Sequence, residues 1–350
     1  MRIDACLTNM KSTPILQISG ESGGGQLLRS SLSLSLATGR PFRMTNIRGK
    51  RPKPGLMRQH LTCVKAAAEV CEASVDGAEL GSVELVFHPG KVVGGDYSFA
   101  IGSGGSTTLV LQTLLPALLH AEGSSTLRIE GGTHNPMAPP FEFIEQCYLP
   151  VIQTMGVKAT AMLERHGFMQ AGGGVITAEI NPIKKWKKLK LIDRGDPVET
   201  FGRVLHAHLH RDIAEREIST ACALLAWPDN AIELRYANDS PGPGNTILLG
   251  ARYANVCEIS SGIAQQGKSS EAVATGAAKG LRSYLASSAP VGVHLADQLL
   301  LPMALAGGGV FHTLAISDHT RTNMALIEQF LPVKFKVEEL EPGVKQIRCS

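Results

Sequence analysis

Glycine-rich turns, a dense basic loop and a histidine at the start of a helix-period segment are the residues here best suited to chemistry, and the chemistry is phosphate transfer. Glu21-Ser22-Gly23-Gly24-Gly25-Gln26 and Gly102-Ser103-Gly104-Gly105-Ser106-Thr107 each open a helical segment. Backbone N–H groups in such a turn approach a phosphate closely, and the helix dipole favours the anion. Neither turn has Walker A or dinucleotide spacing. Four cations crowd into Arg48-Gly49-Lys50-Arg51-Pro52-Lys53. A run of this kind is usually a solvated loop; stiffened by Pro52 and Pro54, its arginines could also grip phosphate at little ordering cost. His319 stands among Asp318, Thr320 and Thr322. Imidazole attacks phosphorus competently and, with a reference pKa of about 6.5, is largely neutral at cellular pH. The ordinary role of a lone histidine there is a cap or surface residue. The residues alone indicate a phosphate-handling enzyme without naming its reaction.

The elements that must position these loops recur along the chain. From Gly23, a helical segment to Ala37 that ends at Thr38-Gly39, a β-branched stretch over 42–47, the basic loop, a helix over about 55–72 and two short strands ending in Val83-Glu84-Leu85-Val86-Phe87 read as helix, strand, helix, strand, strand. The same order returns from Gly102 to about 180, with its second helix over 141–155, and again from His294 to 348. Gly39, Gly123, Gly156 and Gly307 follow helical segments, where a left-handed C-cap favours glycine. Residues 183–290 do not fit the repeat and change composition. They open with Lys184-Lys185-Trp186-Lys187-Lys188-Leu189-Lys190 and break at Pro241-Gly242-Pro243-Gly244. The expectation is a three-repeat α+β domain over 1–182 and 291–350, with a smaller α/β domain inserted at 183–290.

With 43% hydrophobic and 19% charged residues, the 350-residue chain has ample material for a folded core. Its apolar stretches are interrupted before the roughly 20 residues a membrane helix needs, and Met1-Arg2-Ile3-Asp4-Ala5 lacks the apolar run of an export signal. A cytoplasmic protein is expected. Seven scattered cysteines without a Cys-x-x-Cys pair read as reduced thiols packed as small hydrophobes. The +3 formal charge is compatible with a phosphate-bearing partner.

Set together, these segments resemble the RNA 3'-terminal phosphate cyclase family from about residue 16 to 347. The resemblance rests on Gly23 through Ser30, Arg48 through Gly55 with Arg58-Gln59-His60-Leu61, Gly102 through Gln112, and Arg165-His166-Gly167-Phe168 with Gly172-Gly173-Gly174. It continues in Gly242-Pro243-Gly244-Asn245, His294-Leu295-Ala296-Asp297-Gln298, Leu301 through Gly307 and His319-Thr320-Arg321-Thr322-Asn323. It implies three repeats like the C-terminal domain of a bacterial translation initiation factor, plus the small inserted domain. It also implies ATP as cosubstrate with Mg2+ or Mn2+, an RNA with a 3'-phosphate as partner, and an AMP carried on His319 on the way to a 2',3'-cyclic phosphate. On this resemblance Gln112, Pro139, His294, Leu295, Ala296, Asp297 and Gln298 bind ATP, with Pro139 and His294 flanking adenine. Arg29, Arg48, Arg51 and Gln59 hold triphosphate or the RNA end. Many members have Glu where this chain has Ser22, so Glu21 becomes the candidate metal ligand.

Other readings carry less. His206, His208 and His210 would share one face of a strand, as in some zinc sites; coincidence is favoured. The lysine run suits a protected edge strand better than an RNA-tracking stripe with Trp186 for stacking. A cyclase-like ribosome-assembly protein would share the fold without the histidine nucleophile, and a pure RNA-binding module would not consume ATP. Adenylation of a 5'-phosphate is compatible as a side activity. Homodimerisation through a sheet edge is compatible with the pattern but has no direct signal.

Overall fold

A short strand precedes the first helix of each unit, an element the helix-first pattern omits. The computed structural model of the protein describes residues 14–350; the N-terminal pentapeptide and Cys6 lie outside them. The first unit comprises β1 (Leu16–Ser19), α1 (Gly24–Thr38), β2 (Phe42–Thr45), α2 (Arg58–Glu69), β3 (Ser74–Asp76) and β4 (Leu85–His88). The second begins with β5 (Asp96–Ala100), α3 (Thr107–Leu118) and β6 (Ser125–Gly131). Its second helix comes in pieces: α4 (Phe141–Phe143), a π turn over Ile144–Tyr148 and α5 (Leu149–Thr154). Pro150 has no N–H to donate, and the helix slips register just before it. Strands β7 (Lys158–Arg165) and β8 (Gly174–Asn181) close the unit.

Strand β9 (Leu189–Leu191) moves the expected boundary at 183. Composition changes there, yet Leu189–Leu191 pairs in parallel with Gly309–Phe311. The third unit therefore starts before the intervening stretch and resumes after it with α8 (Val293–Leu305), β14 (Gly309–Thr313), α9 (Asp318–Phe330), β15 (Phe335–Glu341) and β16 (Val344–Cys349) once the chain returns. Among the described residues, three sheets share one topology: β1-β2-β4-β3, β5-β6-β8-β7 and β9-β14-β16-β15. In each the first pair is parallel and the others antiparallel. β9 is an edge strand with Lys188 and Lys190 exposed, the usual protection for an open edge. Trp186 is half-buried, its ring 6.1 Å from that of His120, and so is not a free stacking platform.

Between β9 and α8 lie β10 (Pro197–Ala207), α6 (Asp212–Leu225), β11 (Ile232–Tyr236), β12 (Gly244–Tyr253), β13 (Cys257–Ile263) and α7 (Ser270–Leu285), with sheet order β11-β10-β12-β13. Alternation along β10 and β12 splits their side chains between two cores. Leu205 and Leu248 join the large core shared by the three units, while Val204, Ile247 and Leu249 pack with Ala277, Leu281 and Tyr284. Arg194 ties the two chain crossings together. Its guanidinium lies 3.9 Å over the Tyr284 ring and donates to the carbonyls of Ala289 and Tyr284 at 2.7 and 2.6 Å. The histidine series does not make one face: β10 ends at Ala207, His208 has φ +51°, and buried His206 is bonded to Asn245 Oδ1 and the Leu209 carbonyl. Among the described residues no group of three or more His, Cys, Asp or Glu is gathered as a metal site. The six described cysteines are free and buried, and no helix there is long and apolar enough to cross a membrane.

Glu217 on α6 is fully buried and accepts from Asn245 Nδ2 at 2.6 Å, and burial pushes its carboxyl up to about 8. Its folded pKa lies above the ordinary 4.5, so the folded state binds the extra proton and its stabilisation fades as pH rises towards 8. Glu217→Gln preserves the acceptor and removes the titration. The expected result is a melting temperature that falls by several degrees less than that of the unaltered protein between about pH 6 and about pH 9, a linkage effect on the order of a few kcal/mol. Parallel loss of stability in both proteins would contradict it.

Candidate active site

The first turns of α1, α2, α8 and α9 meet around one histidine. Gly23 and Gly24, at φ +104° and +59°, swing the chain from β1 into α1. A side chain at Gly24 would come within 2.9 Å of Arg51, and one at Gly25 would collide with His60 Nε2. Only bare backbone lets these two groups lie over the turn. Gln26 and Arg29 then fall one turn apart on α1. On α8, His294, Asp297 and Gln298 share a face by i, i+3, i+4 spacing. Leu295 and Ala296 are fully buried on the other side. The Ser317 side chain caps α9 by accepting from the Thr320 N–H at 3.0 Å, which leaves His319 exposed in the first turn.

A chain of hydrogen bonds sets the state of His319. Gln26 Nε2 donates to Asp297 Oδ2 at 3.3 Å, which turns Gln26 Oε1 towards His319 Nδ1, 2.5 Å away. An amide oxygen only accepts, so Nδ1 carries the proton and Nε2 keeps its lone pair. Burial, then the charges of Arg29 and Arg51, hold the His319 pKa below its ordinary value against the opposing pull of Asp318. Burial likewise lowers His294, with His319 adding to it. Burial also raises Asp297 to about 7, with Arg29 pulling the other way. His60 is driven to about 3 by burial and the charges of Arg29 and Arg48. Its Nδ1 accepts from the Met57 N–H at 3.3 Å, so a neutral ring presents Nε2–H to the glycine turn. The arrangement is a neutral imidazole with one free nitrogen, backed by cations, at the mouth of a glycine turn.

A family model described as RNA 3'-terminal phosphate cyclase matches residues 20–337. The chain belongs to the RNA 3'-terminal phosphate cyclase family. It is 50% identical over 319 residues to an RNA 3'-terminal phosphate cyclase of Koribacter versatilis (strain Ellin345), covering 91% of this chain and 90% of that protein. Among solved structures, the enolpyruvyl transferase NikO of Streptomyces tendae overlaps at a TM-score of 0.27 with 15% identity, over 48% of this chain and 33% of its own. The EPSP synthase of Acinetobacter baumannii gives 0.26 and 13%, over 91% and 79%. Overlaps that slight carry no argument about fold or chemistry.

The other residues singled out through the family resemblance lie around this centre with unequal freedom. Gln112 Nε2 donates to Gln298 Oε1 at 2.5 Å, and Gln298 Nε2 donates to the His294 carbonyl. Half-buried Pro139 accepts from Thr108 through its carbonyl at 2.8 Å, one turn of α3 before Gln112. Gln59 Oε1 is committed to the Ser106 N–H at 2.7 Å, which makes it a brace for the second glycine turn. Arg48, at φ +55°, donates to the Gly55 carbonyl at 2.8 Å, and Arg51 is exposed. Exposed Glu21 lies along Gly49 of the basic loop. A single carboxylate is enough protein ligand for Mg2+ where phosphate and water supply the rest of its shell. Gln26, His60 and Asn323, whose Nδ2 donates to the Asp297 carbonyl at 3.1 Å, carry no individual role in the sequence reading. The i, i+3 placement of Gln26 beside Arg29 is the signal that could have marked the first of them.

Proposed function

We propose that this protein converts an RNA 3'-terminal phosphate to a 2',3'-cyclic phosphodiester at the expense of ATP, through an AMP carried on His319. The observation that carries the reading is the His319–Gln26–Asp297 chain, which leaves Nε2 unprotonated beside Arg29 and Arg51. Nε2 attacks the α-phosphorus, an N–P bond forms, and the bond to the β-phosphate oxygen breaks to release pyrophosphate. The imidazole becomes cationic, and Gln26 Oε1 receives the Nδ1–H throughout. An oxygen of the RNA 3'-phosphate then attacks the same phosphorus and displaces His319, giving a mixed anhydride. The vicinal 2'-hydroxyl attacks the RNA phosphorus, loses its proton and expels AMP. Arg29 and Arg51 neutralise charge on the transferring phosphoryl group. Gln112, His294 and Gln298 would bind the nucleoside with Pro139, while Arg48 would face phosphate; Gln59 supports the turn. Glu21 would hold the divalent ion, which supplies further charge neutralisation when bound.

The test is conversion of a 3'-phosphorylated oligoribonucleotide with ATP and Mg2+. The expected product resists phosphatase, and AMP and pyrophosphate appear in equal amounts. Product without pyrophosphate would contradict the route. Adenylylation in a single turnover should also rise as pH passes through about 7, because ionised Asp297 is the better acceptor for Gln26. Asp297→Asn should flatten that rise. A rise of the same size in both proteins would remove Asp297 from the chain.

A further inference from the structure

We infer that the cleft between the second unit and the intervening sheet is a subsite for a nucleobase upstream of the RNA 3' end; this rests on the RNA-cyclising reading above. A cavity of about 250 Å³ there is lined by Glu142, Glu145, His166, Arg203, Arg235 and Tyr236 among others. Tyr236 ends edge strand β11 and is 53% exposed, yet its ring is held edge-on by buried His206 with centroids 5.8 Å apart. His206 is itself fixed by two hydrogen bonds. The result is an aromatic face that is both solvent-facing and immobilised, the device on which single-stranded bases stack. His166 is held as well: Nδ1 meets Asp239 at 2.8 Å, and its ring stacks on that of buried His134 with centroids 5.7 Å apart.

The polar groups favour a neutral, flat ligand over a phosphate. Arg203 and Arg235 share one carboxylate, Glu233, at 3.3 and 2.7 Å, so guanidinium donors remain for a ligand. Glu142 is matched by His134 at 2.9 Å, and Glu145 supplies an exposed acceptor. A base edge carrying both acceptors and donors suits this mixture, and guanine, with O6 and N7 for a guanidinium and N–H groups for a carboxylate, fits it best.

The cleft is wired to the active site by the loop after β7. The Met169 carbonyl lies so close to Gly104 that a side chain there would collide with it, and Gly105 packs on Gln59. On its other side this loop meets the intervening sheet: a side chain at Gly173 would come within 2.8 Å of Pro241, and one at Gly244 would strike Phe168. Met169 lies three positions after His166, at most about 11 Å of extended chain. The loop thus joins the subsite to the turn that Gln59 braces, and the base it would take lies upstream of the terminal two nucleotides.

The test is equilibrium binding, by fluorescence anisotropy without ATP, of a guanine-containing RNA decamer bearing a 3'-phosphate and a 5' fluorophore. Tyr236→Ala should weaken binding about tenfold, within the worth of one base–aromatic stack. Tyr236→Phe should stay within about twofold of the unaltered protein because it keeps the ring. Arg235→Gln, at an exposed position, should also weaken binding and serves if the alanine variant folds poorly. Self-adenylylation and the KM of a dinucleotide 3'-phosphate, too short to reach the cleft, should be unchanged in all three variants. Unaltered decamer binding in Tyr236→Ala and Arg235→Gln, or equal losses for decamer and dinucleotide, would overturn the subsite. Binding is read without ATP, so failure of the unaltered protein to adenylylate would count against the cyclase route alone.

Discussion

Replacing His319 with alanine is expected to abolish cyclisation while leaving the fold intact. The imidazole is exposed in the first turn of α9, and the cap of that helix belongs to Ser317. No packing is lost, so the melting temperature should move by about a degree or less, as for a surface substitution. Activity should fall by at least about 10⁴-fold, the scale on which removal of a covalent nucleophile acts. Gln26 offers no substitute: its amide is not a nucleophile, and with His319 gone its oxygen simply faces water. Neutral His60 lies across the glycine turn with its Nε2 protonated. Multiple-turnover assays on a 3'-phosphorylated RNA, with a thermal melt as control, check both halves. A variant with more than about a hundredth of the original rate would show that another group takes the adenylate, since removing a nucleophile costs far more than that.

Arg29 carries the next largest effect. It is the cation common to the centre, lowering both His319 and His60 and drawing Asp297 down from the still higher value that burial alone would impose. Arg29→Ala removes positive charge from beside the transferring phosphoryl group, and the adenylylation rate should fall on the order of 10³-fold. The pH dependence should move with it. Without Arg29 both His319 and Asp297 titrate higher, so the variant should need a more alkaline pH to reach its own maximum. Arg29→Lys restores charge without the planar fork and should recover the pH profile better than the rate. Single-turnover transfer from labelled ATP across a pH series separates these effects. A rate loss with an unmoved profile would mean that Arg29 acts on substrate alone.

Much of this was legible in the residues. The first glycine turn opens α1 and Gly39 closes it at φ +68°, donating to the Ser35 carbonyl. The mixed α+β character and the glycine-opened helices follow from local signals of that kind. The leading strands were not legible because β1, β5 and β9 have three to five residues each, too few for a period of two to stand out. In β9 the difficulty is sharper, since Leu189 and Leu191 sit in a lysine run whose composition belongs to the next segment while their partners are at Gly309 and Phe311. The π turn before Pro150 needed the backbone itself.

At the site, the residues themselves marked His319, the family resemblance supplied the roles implied for it and for the α8 face, and local spacing explains why the residues of that face stand together. Relations between helices escaped. Nothing near Gln26 in the chain says that its amide joins α9 to α8, and nothing near His60 says that Arg29 and Arg48 suppress its basicity. Gln59 has its phosphate role from the family resemblance alone, and nothing near it in the chain says that its oxygen accepts from the Ser106 N–H of the second glycine turn.

The central claim is a phosphorus–nitrogen bond to His319, and the most direct measurement is to trap it. Purified protein is incubated with Mg2+ and ATP labelled at the α-phosphate, in parallel with ATP labelled at the γ-phosphate. Each is denatured, resolved on a gel and mapped by peptide mass spectrometry, with His319→Ala alongside. The account predicts label from the α-phosphate only, acid-labile, on the peptide containing His319, and absent from the variant. Label on another peptide, equal labelling of the variant, or label from the γ-phosphate would contradict it.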